Sequence, residues 1–406
     1  MLPPTKHLKV FQAICREGSM KRAGDLLHRS RSAVSHALDE LEAALGVNLF
    51  ERKPHGMLLT DFGQILARRV DYALDEMSTA RSVLWASRSA AGAQYANAPI
   101  YTLSVSEQRL QMFLDFAQQR HMSVVARRIG VSQPAVSMAL RDLEQSVGQR
   151  LFEAVSGSFR LTPAGQTLIN HLKRALAQLR LADAEIAAIE IGVRGSVAAG
   201  VLPFGGGSVL VPAIARLLAL HPQVRVSTHE ARFDRLMSQL WCGDIDLVVG
   251  ALQSVESYGG LVTETLYEEP IVVVARAGHP LTRLPSPSLN DLIAAQWVLP
   301  AEGTPTRTAV WDALDQAGLA HPEVAVEASN VSIVRGLLLD TDLISAGAKR
   351  LFRHDLQSGA LVTLGHDPVI AYRTIGLFMR TPDHSSPVAQ LLVEQLRQLA
   401  RNYQGV

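Results

Sequence analysis

Residues 131–140 read VSQPAVSMAL, and residues 29–38, which lie 102 positions earlier, read RSRSAVSHAL. The same offset aligns residues 8–66 with residues 110–168 without a gap. Identical pairs recur along this alignment: Leu8/Leu110, Phe11/Phe113, Ser30/Ser132, Ala33/Ala135, Val34/Val136, Ser35/Ser137, Leu38/Leu140, Leu41/Leu143, Glu42/Glu144, Gly46/Gly148, Leu49/Leu151, Phe50/Phe152, Thr60/Thr162 and Gly63/Gly165. Two copies of one compact module are therefore predicted, because a solenoid needs at least three stacked repeats of shorter period.

Each copy predicts a helix-turn-helix. Apolar residues at helical spacing predict a first helix, and short second helices are predicted over residues 21–27 and 124–129. The third helix of each copy begins after Ser30 or Ser132, since a serine hydroxyl can accept a hydrogen bond from a free N–H of the first turn. Two short helices joined by a tight turn form this unit, and a strand–turn–strand wing is predicted to follow.

The start of each third helix is the candidate DNA-reading surface. A recognition helix presents its N-terminal residues to base edges in the major groove, where Arg31 can bond guanine and Gln133 can bond adenine. Basic wing residues are expected to meet phosphates. The candidate DNA-binding residues are Arg31, Ser32, Ser35, His36, Arg52, Lys53, Gln133, Pro134, Ser137, Met138, Arg141 and Arg160. The alternative is that these side chains are the solvated face of an ordinary three-helix domain.

The charge distribution separates the two halves of the chain. Residues 1–194 carry 24 Lys and Arg against 18 Asp and Glu, whereas the remaining residues carry 15 against 20. A basic front half and an acidic back half indicate two different tasks. Because 48% of the residues are hydrophobic, the chain can bury substantial cores, which excludes a disordered protein.

Several classes of protein are excluded by what the sequence lacks. Cys15 and Cys242 are the two cysteines, which excludes a disulfide framework and indicates a reducing compartment. No apolar run reaches the roughly 18 residues that span a bilayer, and no secretion signal is recognisable, so a cytoplasmic protein without a membrane partner is expected. No hydrolase elbow, phosphate-binding loop or zinc-protease motif occurs; neither an enzyme nor a metal or other cofactor is predicted.

A long helix is predicted after each wing. Residues 62–86 and 168–189 both carry apolar side chains at spacings of three and four. The second stretch forms a seam suited to a partner helix, composed of Leu168, Leu172, Ala175, Leu179, Ala182, Ile186 and Ile189. The alternative is a helix that lies on its own domain. Residues 89–99 are rich in small side chains and predict a linker.

From Gly195 onward, predicted strands and helices alternate, which indicates a parallel α/β architecture. Ligands in such folds bind beyond the carboxyl ends of strands, often at helix N-termini, and the loops 204–208 and 303–307 fit this description. The candidate effector-binding residues are Phe204, Gly207, Ser208, Gln253, Thr304, Thr306 and Arg307. The alternative is that the glycines only permit tight packing and that Ser208 and Thr304 are ordinary helix caps.

The sequence resembles the LysR-type regulators over nearly its whole length. Copy two carries the resemblance in Val131–Ser137, Leu143-Glu144, Gly148, Leu151-Phe152 and Leu161–Gly165. Copy one carries it in Ser32–Ser35, Leu41-Glu42, Gly46, Leu49–Arg52 and Leu59-Thr60. In the second half, residues 246–252, 297–300 and 303–305 are similar to a subgroup that includes galactose-binding-protein regulators and protocatechuate regulators.

The resemblance implies an α/β multidomain protein with two N-terminal winged helix-turn-helix domains, long linker helices, and a two-subdomain, periplasmic-binding-protein-like α/β effector domain. Its crossover strands are expected near residues 271–275 and 371–378. The implied function is DNA-binding transcriptional regulation controlled by a sugar, a sugar acid or an aromatic-derived acid. Implied partners are double-stranded DNA, this small-molecule effector, RNA polymerase, and further copies of the chain in a homodimer or homotetramer joined through the linker helices.

The expected domains follow from these elements. They are a first winged helix-turn-helix (1–66), a linker helix and linker (67–104), a second winged helix-turn-helix (105–168), a dimerisation helix (169–194), and an effector domain (195–406) with subdomain I over 195–270 and 371–406 and subdomain II over 271–370. The alternative function is a small-molecule-binding protein whose N-terminal domains serve assembly.

The chain departs from the family pattern in having two DNA-binding domains instead of one. Copy two has Ala154 where the family has arginine, and copy one has Arg31-Ser32 in place of the usual Gln-Pro pair. Which copy reads the operator is therefore open, and both are expected to contact DNA.

Overall fold

The computed structural model describes residues 3–53, 56–86, 93–155, 158–192, 194–365 and 369–403. The chain divides into two compact units, Met1–Gly192 and Val193–Val406. Residues 89–92 of the predicted linker lie outside the described residues, and the chain beyond them contains two short 3-10 helices, Ala93–Tyr95 and Pro99–Thr102.

The first module contains a helix-turn-helix and a wing. Its elements are α1 (Thr5–Glu17), α2 (Met20–Leu27), α3 (Arg31–Leu45), β1 (Phe50–Lys53) and β2 (Gly56–Leu59). Ser30 caps α3, since its side chain accepts a hydrogen bond from the backbone N–H of Ala33 at 3.2 Å. The two strands pair antiparallel. The helix-turn-helix predicted for copy one is confirmed.

The second module repeats this arrangement. Its elements are α5 (Glu107–Gln119), α6 (Met122–Ile129), α7 (Gln133–Val147), β3 (Phe152–Val155) and β4 (Ser158–Leu161). Ser132 caps α7 by accepting a hydrogen bond from the backbone N–H of Ala135 at 3.3 Å. The equivalence of the two copies therefore extends from the sequence to the capping contact, and the second predicted helix-turn-helix is also confirmed.

A long helix follows each wing, as predicted. These helices are α4 (Asp61–Trp85) and α8 (Pro163–Ile191). The buried apolar residues of α4 include Leu66, Val70, Ala73, Met77 and Ala80, and those of α8 include Leu168, Leu172, Ala175, Leu179, Ala182 and Ile186. Spacings of three and four alternate in both sets, which places each set on one face of its helix. Both faces belong to one hydrophobic core that also contains the interiors of the two modules.

The apolar face of α8 is covered by α4 of the same chain. Arg69 of α4 contacts Gln178, whereas Glu76, further along α4, contacts the earlier residue His171, so the two helices run antiparallel. The structure thus shows the alternative arrangement, in which the helix packs within its own chain. The dimerisation role expected for this helix stays a prediction. The duplication supplies a second linker helix within the chain, and that helix occupies the seam. Ile189 is the exception in the predicted set, because its side chain is 61% exposed.

The second unit begins with an α/β subdomain. Its central strands β5 (Gly195–Val201), β6 (Val224–Glu230) and β7 (Leu247–Ala251) are parallel. Helices on both faces of this sheet bury its apolar side chains. One face carries α9 (Gly207–Leu220) and α15 (Pro387–Arg401), and the other carries α10 (Phe233–Cys242).

The second subdomain has its own strands and helices. These are α11 (Leu289–Ile293), β9 (Trp297–Leu299), α12 (Pro305–Gln316), β10 (Val324–Glu327), α13 (Val331–Asp340), β11 (Ser345–Ala348), α14 (Arg353–Ser358) and β12 (Leu361–Thr363). β9 and β10 pair in parallel. Short 3-10 helices lie at Pro280–Arg283 and Pro382–His384.

Two long strands connect the subdomains. β8 (Leu261–Arg276) and β13 (Val369–Arg380) pair antiparallel along most of their length, and β13 also pairs antiparallel with β7. The crossover segments predicted near 271–275 and 371–378 lie within these strands. The expectation of a parallel sheet is corrected to a mixed one, because β13 runs against β7 and β8 and because β11 and β12 run against β8.

A buried ion pair joins the two crossover strands. Arg373 on β13 donates to Glu269 Oε2 on β8, with Nε–Oε2 and Nη2–Oε2 distances of 3.0 and 2.6 Å. The two side chains are 4% and 2% exposed. Arg373 also donates to the hydroxyl of Thr306 in the second subdomain and to the carbonyl of Phe204 in the first. One guanidinium therefore ties both subdomains to the strands between them.

Removing a side chain from the seam is expected to loosen both long helices. Leu172 is fully buried, so Leu172→Ala should lower the free energy of opening α4 and α8 by about 2–5 kcal/mol through lost burial and a new cavity. Hydrogen–deuterium exchange of peptides from both helices in the full chain measures this change. Ile189→Ala, on the same helix but exposed, should shift it by less than about 0.5 kcal/mol. Equal effects of the two substitutions would contradict the assignment of the seam.

Breaking the Arg373–Glu269 pair is expected to destabilise the second unit. Arg373→Met leaves the buried carboxylate of Glu269 without its countercharge. The free energy of opening β8 and β13, measured by hydrogen exchange, should therefore fall by about 3–5 kcal/mol. The double variant Arg373→Met/Glu269→Gln should recover much of this loss, because no lone charge stays buried. Arg216→Met, at an exposed position, is the control. A double variant as unstable as the single one would show that the unpaired charge is not the cause.

Candidate functional site

The start of α3 presents the side chains that the sequence assigned to DNA. Arg31, Ser32 and His36 are exposed and Ser35 is half-buried. The opposite face of the helix packs inward, as predicted, through Val34, Ala37, Leu38 and Leu41. His36 Nε2 lies 3.2 Å from Glu40 Oε1 on the next turn. The helix therefore offers a polar, accessible N-terminal end on a rigid core.

The start of α7 presents the equivalent surface in the second module. Gln133, Pro134 and Met138 are exposed, and Met138 reaches 57% exposure although its side chain is apolar. Ser137 is half-buried, and its carbonyl accepts a hydrogen bond from Arg141 Nε at 3.3 Å. The exposed amide of Gln133 suits contact with a base edge, and the exposed side chain of Met138 suits contact with a thymine methyl group.

The wings place basic side chains in solvent. Arg52 and Lys53 on β1 are exposed, and Lys53 Nζ lies 2.7 Å from Glu51 Oε2. Arg160 on β4 is exposed and donates from Nε to Glu153 Oε1 at 2.5 Å. Exposed ion pairs of this kind contribute little to stability, so either cation can exchange its carboxylate for a phosphate at small cost.

A pair of equivalent glutamates positions the wings, a role that was not predicted from the sequence. Glu42 Oε1 accepts a hydrogen bond from Leu49 N at 2.7 Å, and Glu144 Oε1 accepts one from Leu151 N at 2.8 Å. Each carboxylate joins the recognition helix of its module to the start of β1 or β3. The identity of both residues at the offset of 102 was the available signal.

A cavity of about 450 Å³ lies between the two subdomains of the second unit. This is within the volume range of small-molecule sites. It is lined by Leu202, Pro203, Phe204, Arg232, Phe233, Asp234, Ala251 and Gln253 from the first subdomain, by Pro300, Ala301, Glu302, Gly303, Thr304, Pro305, Thr306, Glu327 and Ser329 from the second, and by Arg373 of β13. The loops after β5, β6, β7, β9 and β10 all contribute, as expected beyond the carboxyl ends of strands.

Two helix N-termini face this cavity, one from each subdomain. Arg232 and Phe233 belong to the start of α10, and Thr304 and Pro305 belong to the start of α12. The Thr304 hydroxyl donates to the carbonyl of Ala301 at 2.7 Å instead of capping the helix. The first backbone N–H groups of both helices carry a partial positive charge, which favours an anionic ligand group.

The structure brings together four of the seven predicted effector residues. Phe204, Gln253, Thr304 and Thr306 line the cavity. Phe204 adopts a positive φ of 62°, unusual for a residue with a side chain, and its carbonyl points to Arg373. Thr306 is buried, and its hydroxyl accepts a hydrogen bond from Arg373.

The other three predicted residues lie outside the cavity lining. Gly207 is exposed in the first turn of α9, and the Ser208 hydroxyl is 3.3 Å from the Tyr267 hydroxyl. Arg307 turns back to its own subdomain, donating to the Pro300 carbonyl at 3.3 Å and to Glu327 Oε2 at 3.0 Å. The loop containing Gly207 and Ser208 was predicted as a ligand site from its glycines. In the structure these two residues belong to the first turn of α9 and do not line the cavity.

Several polar residues of the lining were not predicted from the sequence, among them Arg373, Arg232, Glu302, Glu327 and Ser329. Arg373 lies in a predicted crossover strand, where an arginine in an otherwise apolar stretch was an available signal. The remaining four had none, because no motif surrounds them. Within the described residues there is no cluster of three or more His, Cys, Asp or Glu that could hold a metal ion.

Burial, followed by the negative charge of Asp71, raises the pKa of the Cys15 thiol to about 12, so this cysteine is a neutral, unreactive thiol at physiological pH. No helix among the described residues has both the length and the apolar character needed to cross a bilayer.

Comparison with known families gives two matches that together span the chain. The family described as bacterial regulatory helix-turn-helix protein, lysR family, matches twice, over residues 5–64 and 108–166. The LysR substrate binding domain family matches residues 191–401. Both modules and the second unit are thereby accounted for.

Individual relatives agree with this division. The HTH-type transcriptional regulator GalR of Pseudomonas putida is 38% identical over 400 residues, which cover 98% of each chain. Full-length OxyR from Pseudomonas aeruginosa is 25% identical with a TM-score of 0.52, covering 71% of this chain and 97% of that one. The LysR family regulator CbnR, solved with its target DNA, has the same fold with a TM-score of 0.55 at 19% identity, covering 72% and 99%.

The helix-turn-helix modules, the cavity of the second unit and these matches lead to one assignment. The chain belongs to the LysR family of DNA-binding transcriptional regulators, not to an enzyme family, and it combines two copies of the family's helix-turn-helix domain with one substrate-binding domain.

Proposed function

We propose that this regulator reads operator DNA with the starts of both α3 and α7 and responds to a small hydroxylated acid in the cleft of its second unit. The observation that carries the DNA part is the exposure of Arg31 and Gln133 at the starts of two capped helices. Such an end enters the major groove without rearrangement, because the opposite face of the helix stays in the core.

Base contacts and phosphate contacts are assigned to different side chains. Arg31 and Gln133 are the principal base readers, since their side chains can bond guanine and adenine through two atoms at once. Arg52, Lys53 and Arg160 bind phosphates from the wings. The neighbouring readers are Ser32, Ser35 and His36 of α3 and Pro134, Ser137, Met138 and Arg141 of α7.

The cleft favours a ligand that carries both a carboxylate and hydroxyl groups. The N-termini of α10 and α12 and the guanidinium of Arg232 suit an anionic group. The carboxylates of Asp234, Glu302 and Glu327 in the same lining suit hydroxyl groups, because an ionised carboxylate only accepts hydrogen bonds. Sugar acids and hydroxylated aromatic acids have this combination.

Regulation is proposed to act through the subdomains. A ligand that bridges the starts of α10 and α12 binds the closed cleft better than the open one and so shifts the population between them. Assembly into a homodimer or homotetramer is assigned to the second unit, where α9 exposes the apolar side chains of Val211 and Leu218 on one face. We further propose that the protein contacts RNA polymerase and lies in the cytoplasm, because a regulator of bacterial promoters acts where the polymerase and the DNA are.

Wing and recognition-helix substitutions are expected to act differently on DNA binding. Arg52→Ala should weaken binding to all duplexes and flatten the dependence of affinity on salt, because one phosphate contact is lost. Arg31→Ala and Gln133→Ala should change the preference between duplexes by about 5–100-fold. Fluorescence anisotropy with duplex from the chain's own promoter region, over a salt series, measures both effects.

The control for charge is Arg216→Ala, which removes an exposed cation from α9 in the second unit and should leave affinity and salt slope unchanged. The competing function is a small-molecule-binding protein whose modules serve assembly alone. Binding that is lost equally in Arg216→Ala and Arg52→Ala, or that none of the four substitutions affects, would favour this alternative.

Acids and their neutral counterparts are expected to bind the cleft differently. Isothermal titration calorimetry with D-gluconate and 3,4-dihydroxybenzoate should show affinity at least about tenfold higher for one of them than for D-glucose or catechol, because a charge-assisted contact contributes about 1.5–3 kcal/mol. Gln253→Leu should weaken binding of the acid that binds, whereas Ser208→Ala, outside the lining, should not. Equal binding of acid and neutral counterpart would contradict the proposed ligand class.

A further inference from the structure

We propose that a single chain supplies both halves of a pseudo-dimeric DNA-binding unit, and that this unit recognises a non-palindromic operator composed of two unlike half-sites. The proposal rests on the proposed function in one respect, namely that the starts of α3 and α7 contact bases.

The α4–α8 contact has the symmetry of an interface between two equivalent subunits. An interface of this kind makes each contact twice. At the offset of 102, Arg69 is equivalent to His171 and Glu76 is equivalent to Gln178. Arg69 Nη1 donates to Gln178 Oε1 at 2.9 Å, and His171 Nδ1 lies 2.9 Å from Glu76 Oε2. These are two instances of one contact, so an approximate two-fold axis passes between the helices.

The antiparallel pair holds the two modules at opposite ends. Each module precedes its own long helix, and Gln149 of the second module donates to the carbonyl of Leu84 at the far end of α4. The contacts Arg69–Gln178 and Glu76–His171 place the start of α8 opposite Leu84, so the starts of α4 and α8 are separated by about 35 Å along the pair at ~1.5 Å per residue. Successive major grooves on one face of DNA repeat at about 34–36 Å, which is a comparable distance.

The charges along the seam favour the pairing of α8 with α4 over the pairing of α8 with a second α8. Glu185 forms ion pairs with Arg68 and Arg69, and Glu76 forms an ion pair with Arg174. Two copy-one helices would place Val83 where Glu185 stands, and two copy-two helices would place Gln178 where Glu76 stands. Two copy-two helices would therefore lose the ion pairs of Glu76, which disfavours their pairing. Two copy-one helices would lose the ion pairs of Glu185 but would place a Glu76 opposite each Arg69.

The pKa of Glu76 indicates that this seam favours a charged carboxylate. Burial raises its pKa, but the hydrogen bond with His171 and the positive charge of Arg174 outweigh burial and hold the pKa below its ordinary value. The seam therefore stabilises the ionised form of Glu76. A glutamine, the residue at the equivalent position of α8, cannot supply that charge.

The two reading surfaces are equivalent in position and different in chemistry. Ser35 and Ser137 are identical, but most of the exposed positions around them differ. The differing pairs are Arg31/Gln133, Ser32/Pro134, His36/Met138 and Asp39/Arg141 on the helices and Arg52/Ala154 and Leu58/Arg160 on the wings. An identical pair of readers related by a two-fold axis requires a palindrome. An unlike pair related in the same way requires two different half-sites.

The test is selection of duplexes by the full chain. Wild-type protein is used to enrich a library of 30 randomised base pairs, and the enriched sequences are compared with their reverse complements. The expected motif has two unequal halves about one helical turn apart. Arg31→Ala should reduce base preference by about tenfold or more at positions in one half alone, and Gln133→Ala should do so in the other half alone.

Matched symmetrised variants sharpen the test. Gln133→Arg/Pro134→Ser/Met138→His/Arg141→Asp with Ala154→Arg gives the second module the reading residues of the first. The reciprocal set, Arg31→Gln/Ser32→Pro/His36→Met/Asp39→Arg with Arg52→Ala, does the opposite. All these positions lie on the exposed face of the helices or on the wings, so the core is unchanged. Each set should enrich a palindrome, and the two palindromes should differ.

The outcomes separate this inference from the proposed function. A wild-type motif that is palindromic, a motif with a single half-site, or single substitutions that alter both halves together would overturn the inference while leaving DNA recognition intact. Failure of wild-type protein to enrich any sequence over the starting library would overturn the proposed function and this inference with it.

Discussion

The packing of α4 against α8 is the interaction on which the first unit depends. Each helix contributes one apolar face with alternating spacings of three and four, and the two faces close a core that continues into both modules. A linker helix with such a face is not stable when the face is exposed to water, because burial of the apolar face supplies most of the stability of the helix. The duplication places a second face of the same kind in the same chain, and the two cover each other.

Much of the first unit could be predicted from the sequence, since local rules determine it. Caps at Ser30 and Ser132, apolar periodicity and the repeat identify every helix of both modules to within a few residues. The helix that covers the α8 seam could not be predicted from periodicity. An apolar face shows that another element must cover it, but it does not identify that element. The polar contacts at Arg69, Glu76 and Glu185 decide this, and they require the pairing register, which no local pattern gives.

The second unit shows the same division between local and distant information. The alternation of strands and helices predicts the elements, and the loops near Phe204 and Thr304 predict one wall of the cleft on each side. Strand direction was missed, because β8 and β13 look like any buried strand in sequence. The ion pair of Arg373 and Glu269 was also missed, because the two residues are 104 positions apart and meet only when the crossover strands pair.

Pairing of α4 with α8 inside one chain is the central claim, and a spin-label distance tests it most directly. Labels replace the exposed Thr79 of α4 and Gln166 of α8 in a chain whose two native cysteines are replaced, and labelled chain is diluted into unlabelled chain. Double electron–electron resonance should give one short distance that dilution does not weaken. A distance that vanishes on dilution would mean that the helices pair between chains, and the pseudo-dimer would have no basis.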